Sequence, residues 1–172
     1  ANVVIENDNH TKVETHAGKN SKINWKSYDL WSGEKMEYYF PTANQTSLNL
    51  INPNSGISHV HGTIEATGAG AGSSNIILKN SNGFYFNGTT LLNVNSLTAT
   101  TNDITDLGNG RYQFERSTEF GAPIIFRGNT TIQGASDVAF IANNIWMKKD
   151  AKINGPDSKV QLVTADGVTF QY

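Results

Sequence analysis

The sequence predicts an all-β fold: a right-handed parallel β-helix (solenoid) with an N-terminal cap and extra-helical β-hairpins. Three observations lead there. The 172 residues include 21 Asn, 17 Thr and 16 Gly, a mixture poor in helix formers and rich in residues suited to corners and strand faces. Two stretches echo each other: Ile132-Gln133-Gly134 leading to Val138–Ile141 returns as Ile153-Asn154-Gly155 leading to Val160–Val163, offset by 21 and then 22 positions. A period in the low twenties is expected when each repeat is one coil of a solenoid. A sandwich would turn about every 8 to 12 residues and gives no reason for such self-similarity. Finally, Leu50-Ile51-Asn52-Pro53-Asn54 returns loosely as Leu78-Lys79-Asn80-Ser81-Asn82, 28 positions on, which places two Asn-led corners on neighbouring coils.

Taken in order, residues 2–24 alternate loosely through Val3, Ile5, Val13 and Ile23 around a Gly18–Ser21 turn, and read as two or three short strands covering one end of a sheet stack. Trp25, Tyr28, Trp31, Tyr38, Tyr39 and Phe40 follow, a density of rings expected to cap a core, since each buries about 150–250 Å². Left exposed, such a cluster would instead form a sugar-binding platform. Leu48–Ile51 reads as a strand and Asn52–Gly56 as a corner in which Pro53 sets φ, with Ile57–Ile64 as the next strand. Asn82-Gly83 and Asn87-Gly88 punctuate the aromatic and β-branched run from Asn80 to Thr101, because Asn and Gly tolerate positive φ. Asn102–Phe120 breaks the period and concentrates charge at Asp103, Asp106, Arg111, Glu115, Arg116 and Glu119, as expected of a hairpin projecting from the stack. Residues 165–172 read as a strand with no cap, so this end looks cut rather than finished.

The length fits one domain spanning 1–172. Thirteen basic against 15 acidic residues, net charge −2, with no like-charge block, offer no surface for nucleic acid or an anionic membrane. With no Cys there is neither disulfide nor cysteine-based metal or redox chemistry. No apolar run approaches the roughly 20 residues of a spanning helix. Ala1-Asn2 lacks an initiator Met and a basic-then-apolar leader, which points to a start after removal of a signal peptide or tag.

Candidate chemistry is sparse. Gly68-Ala69-Gly70-Ala71-Gly72-Ser73-Ser74 has the composition of a phosphate-cradling loop but leads into the strand pattern Asn75–Leu78 instead of a helix N-terminus. His59 and His61 flank Val60 and share one strand face at a spacing compatible with metal, without a third ligand in the usual local patterns. Asp137, Asp150, Asp157 and Asp166, with Arg127 the nearby arginine, are the carboxylates a β-helix hydrolase or lyase would use, yet they are scattered over different coils. There is no Gly-x-Ser-x-Gly, His-Glu-x-x-His or EF-hand pattern. The expectation is a non-enzyme with no catalytic residues, no metal site and no cofactor. At the corners, Asn52, Asn54, Asn80 and Asn82 are expected to bond their own backbone.

The same stretch resembles a known family. Asn80, Asn82 and Gly83, then Phe86 to Gly88, then Val94, Leu97, Ala99, Thr100 and Thr101 are similar to the signature of the N-terminal secretion domain of two-partner secretion exoproteins, the filamentous-haemagglutinin-like family. The chain departs from it at Ser81, where the family usually has Pro, and at Phe84, where it usually has Ile or Val. Ile23–Leu30 followed by Phe40-Pro41, and Val138–Ala142 followed by Lys152–Phe170, extend the likeness over nearly the whole chain. The absence of a Cys-x-x-Cys pair after the Asn-Gly turn makes it closer to the high-molecular-weight adhesin branch. The resemblance implies the first part of a much larger exoprotein, most simply an adhesin, that passes through the periplasm and outer membrane to the cell surface or medium. It implies as partner an outer-membrane β-barrel transporter with periplasmic recognition domains, with host surfaces met through downstream regions and the chain itself a monomer. Its secretion motif would be Asn80, Ser81, Asn82 and Gly83 with Asn52, Pro53 and Asn54. The rival reading is a stand-alone β-helix that binds or cleaves carbohydrate.

Overall fold

Aliphatic residues alternating with Asn, Thr and Ser, interrupted by positive-φ residues such as Gly56, Gly68, Gly83, Gly88, Asn93, Gly128 and Gly134, produce short strands joined by sharp corners. A computed structural model describes residues 1–116, 121–134 and 136–172.

Strand β1 (Asn2–Asn7) folds back antiparallel on β2 (His10–Glu14), with Val3 opposite Val13. From there the main-chain ladder is parallel. A first partial coil runs through β3 (Ser21–Trp25) and β4 (Lys35–Tyr39), and the next through β5 (Thr46–Ile51), β6 (Ser58–Val60) and β7 (Thr63–Thr67). After a 3-10 turn at Ala71–Ser73 come β8 (Asn75–Lys79), β9 (Phe84–Asn87), β10 (Thr90–Leu92) and β11 (Ser96–Thr100). A hairpin of β12 (Asp103–Gly108) and β13 (Arg111–Glu115) interrupts the coil, which resumes with β14 (Ile124–Arg127) and β15 (Asn129–Gln133). Then follow β16 (Asp137–Ile141), β17 (Ile145–Met147), β18 (Lys152–Asn154), β19 (Lys159–Val163) and β20 (Gly167–Gln171).

Each full coil contributes one strand to each of three sheets, ordered β1-β2-β4-β7-β10-β15-β18, β3-β5-β8-β11-β16-β19 and β6-β9-β14-β17. The fold is therefore the parallel β-helix that the sequence predicts. The expected period holds from Asn75 to Ser96 and from Asp137 to Lys159, at 21 and 22 residues. It stretches to 29 between Thr46 and Asn75, where the glycine-rich excursion intervenes, and to 41 between Ser96 and Asp137, where the hairpin does. Register survives both insertions, because extra residues leave the coil at corners and never enter a strand.

Inward-facing residues fill the prism between the sheets. Phe84, Phe86, Phe126 and Phe140 are fully buried, with ring centroids 5.3 Å apart for Phe86–Phe126 and 4.8 Å for Phe126–Phe140. Tyr28, Tyr38 and Phe40 cap this core as expected, but Trp31 of the same aromatic cluster is half exposed. A second cluster lies outside the prism: β12, β13 and β20 form a three-stranded antiparallel sheet that packs Tyr112 and Phe114 over Ile77, Ala139 and Ile141 of the six-stranded sheet. The predicted hairpin is thus present, although Glu119 of its charged stretch lies outside the described residues.

Three expectations need correction. The single strand over Ile57–Ile64 is two, because the chain turns at His61-Gly62, whose N–H groups both donate to the Leu30 carbonyl. Alternation along the two echoing stretches points Val138, Phe140, Val160 and Leu162 into one core; Val138 and Phe140 are buried and Val160 is half-buried, but Leu162 is 47% exposed. Leu162 stands in register with Phe140, yet among the described residues no strand pairs with the outer edge of β19. Finally, residues 165–172 do not run on as a bare coil strand: β20 crosses to pair with β13, placing Phe170 opposite Tyr112.

Candidate functional site

The two Asn-led corners stack on adjacent coils and repeat one bonding pattern. In the first, Asn52 Oδ1 accepts from the Asn54 N–H at 2.9 Å, and the Asn52 carbonyl accepts from the Ser55 N–H at 3.0 Å and its hydroxyl at 2.7 Å. In the second, Asn80 Oδ1 accepts from the Asn82 N–H at 2.9 Å, and the Asn80 carbonyl accepts from the Gly83 N–H at 3.1 Å. Both are Asn-led turns in which the side chain replaces a backbone acceptor, which is why Asn and not an aliphatic residue leads each corner.

The second corner is also bonded into its neighbours. Asn80 is buried, its amide donating to the Gly56 carbonyl at 3.0 Å and to Ser58 Oγ at 2.9 Å. The Asn82 amide donates to the Pro53 carbonyl, tying the corners directly. Gly83, at φ +101°, lies so close to the following coil that a Cβ would stand 2.5 Å from the Pro123 carbonyl. Asn52, Pro53 and Asn54 are exposed, Ser81 and Asn82 half-buried, Asn80 and Gly83 buried. None of these residues carries an acidic or basic side chain, so the corners present uncharged amides, carbonyls and the Ser81 hydroxyl, with no acid or base of their own for proton transfer. The structure brings all seven sequence-predicted residues together. It adds Ser58 and Pro123, for which no local signal exists, because they meet the second corner only through coil stacking, as does the Gly56 carbonyl of the first corner.

The other candidates separate. His59 and His61 share one outward face with Val60 in the core, as the alternation predicts. The rings do not lie on an open strand face: Trp31 stacks on His59 at 5.4 Å, Tyr85 lies 5.9 Å from His59 and 5.7 Å from His61, and Asp29 Oδ1 is 3.4 Å from His59 Nδ1. Burial first, then the neighbouring His59, hold His61 below the ordinary histidine range, against a weaker opposing pull from Asp29. Among the described residues no set of three or more His, Asp or Glu is arranged to hold a metal ion. In the glycine-rich stretch the N–H groups of Gly70, Ala71 and Ser73 donate to the carbonyls of Phe40, Gly68 and Gly70, and the stretch forms a three-residue 3-10 turn that leads into β8. Asp137, Asp150, Asp157 and Asp166 are exposed, and Asp166 pairs with Arg116 at 3.2 Å.

A family model described as a TPS secretion domain matches residues 1–170. No curated protein matches the chain.

Proposed function

Since the chain belongs to the TPS secretion domain family, we propose that it targets a large exoprotein, an adhesin, to its outer-membrane transporter and nucleates the β-helix that the exported chain builds on. Family membership makes this a secretion and targeting domain, implies a transporter partner in the outer membrane and gives a secreted product. The finer reading assigns recognition to the stacked corners, Asn52-Pro53-Asn54 and Asn80-Ser81-Asn82-Gly83, presented to the periplasmic domains of the transporter. Its support is the direct bond from the Asn82 amide to the Pro53 carbonyl, which makes the two corners one preformed surface with little ordering cost on binding.

The nucleation part rests on the same geometry. Asn80 bonds back to Gly56 and Ser58 and, through its N–H at 3.0 Å, forward to the Thr100 carbonyl, so one residue joins three coils. Co-expression with the cognate transporter tests the reading. Asn54→Ala, which alters an exposed corner residue without removing a buried bond, should lower the amount in the medium while leaving the purified protein as stable as the parent. Asn80→Ala should lower both. Export of both variants at the parental level removes the corners from recognition.

A further inference from the structure

We propose that a trough running across the strand starts of the six-stranded sheet binds a short, neutral, linear oligosaccharide. The trough has a volume of about 680 Å³, within the range of roughly 300–1,000 Å³ usual for small-ligand sites. Its floor is a ladder on the outward face of the sheet, one side chain at each strand start: Asn20, just before β3 and bonded to the Thr46 N–H, then Thr46, Asn75, Ser96, Asp137 and Lys159 in register, with Thr46, Asn75 and Ser96 set deep in the floor and largely buried. At a strand spacing of about 4.8 Å these six rungs span roughly 24 Å, an elongated site and not a point site.

The chemistry selects the ligand. Amides and hydroxyls both donate and accept, as do sugar hydroxyls, and rungs repeating along one axis match a polymer with a repeating unit. One wall is lined by Phe170 of the outer sheet and Tyr172 just beyond it, aromatic rings of the kind that pack against the C–H faces of a pyranose. The charged side chains lining the trough are Asp137 and Lys159, opposite in sign and paired in register, so a polyanion would meet no cationic row. An extended peptide fits less well: β5, β8, β11 and β16 are each paired on both edges, so the floor presents side chains and has no free backbone for strand addition.

The trough is preformed. Tyr172 is tied to Thr98 through their hydroxyls, its N–H donates to the Gly110 carbonyl at 2.9 Å, and Gln171 Nε2 donates to the Asn109 carbonyl at 2.7 Å. The wall is therefore fixed to both the floor and the hairpin turn before any ligand arrives.

Amide-resolved NMR titration of the 172-residue chain with cellotetraose, chitotetraose and maltotetraose, and with a tetragalacturonate as anionic comparator, tests the proposal. The expected result is saturable shifts from at least one neutral probe at Asn75, Ser96, Thr98, Gly110 and Tyr172. Gln161→Ala, on the trough lining, should weaken that binding roughly fivefold to tenfold, the equivalent of one hydrogen bond, with an unchanged melting temperature. Gln161→Trp, which fills the trough, should abolish it. No saturable shift from any neutral probe at millimolar concentration overturns the proposal, as do shifts confined to another face or tighter binding of the tetragalacturonate. Because export is measured separately, a chain that is secreted normally yet binds no oligosaccharide defeats this proposal alone.

Discussion

Gly83 and Gly56 both have positive φ, at +101° and +83°, but only Gly83 faces a neighbour within reach of a side chain. Gly56→Ala should therefore cost only the left-handed strain, about 1–2 kcal/mol. Gly83→Ala should cost clearly more, since its Cβ would also stand 2.5 Å from the Pro123 carbonyl and force two coils apart. Urea denaturation of the pair checks the ranking, and equal losses would mean the coils separate freely. Ser81 occupies in its corner the place that Pro53 occupies in the other, so Ser81→Pro should be tolerated or stabilise by about 0.4–1 kcal/mol. That the corners are Asn-led turns was legible in the residues themselves. The burial of Asn80 was not, because its partners Gly56 and Ser58 sit 24 and 22 positions away and only coil stacking brings them to its amide.

At the level of elements, the core strands do not contribute alike. Phe140 is fully buried against Phe86 and Phe126, so Phe140→Ala should cost about 3–5 kcal/mol. Leu162, its register partner on β19, is half exposed, and Leu162→Ala should cost about 1 kcal/mol. Comparing denaturation midpoints of the two variants decides this, and a Leu162 effect as large as that of Phe140 would mean that something covers β19 in solution. Alternation along β19 was readable in advance, since Lys159 and Gln161 differ in kind from Val160 and Leu162; along β16 it was blurred, because the outward Ala139 and Ile141 are apolar too and lie under the outer sheet. The depth of burial was not, because alternation says which way a side chain points and not what lies beyond it. The same limit explains Ile57–Ile64: the alternation suits one strand, but the His61 and Gly62 N–H groups turn back to the Leu30 carbonyl, and a Cβ at Gly62 would collide with the Glu34 and Trp31 carbonyls.

Across the whole molecule, burial of tyrosines links folding to alkaline pH. Burial above all, with Tyr28 beside it, pushes the Tyr38 hydroxyl well above its ordinary 10.0, and burial likewise raises Tyr28. Burial raises Tyr172 to about 12, a rise that the Thr98 hydrogen bond reduces. The folded state thus keeps protons that the unfolded chain releases near pH 10, so stability is fully present below that pH and falls as pH climbs from about 10 towards 12. Melting temperature against pH, followed alongside tyrosinate absorbance, should show the loss setting in with ionisation; a flat profile to pH 12 would contradict it. The coil architecture itself was legible from self-similarity at 21 and 22 positions, because stacking demands like residues at like places. The outer sheet was only half legible: the turn at Asn109-Gly110 announces a hairpin, but nothing local says that β20 will join it. That pairing acts as a clasp. It hooks β20 to a hairpin formed more than 50 residues earlier, Glu115 opposite Gly167, so β20 cannot peel away from the stack without first opening the clasp. In hydrogen exchange, amides of β20 should therefore open together with those of β13 in mid-chain, and more slowly than those of β17.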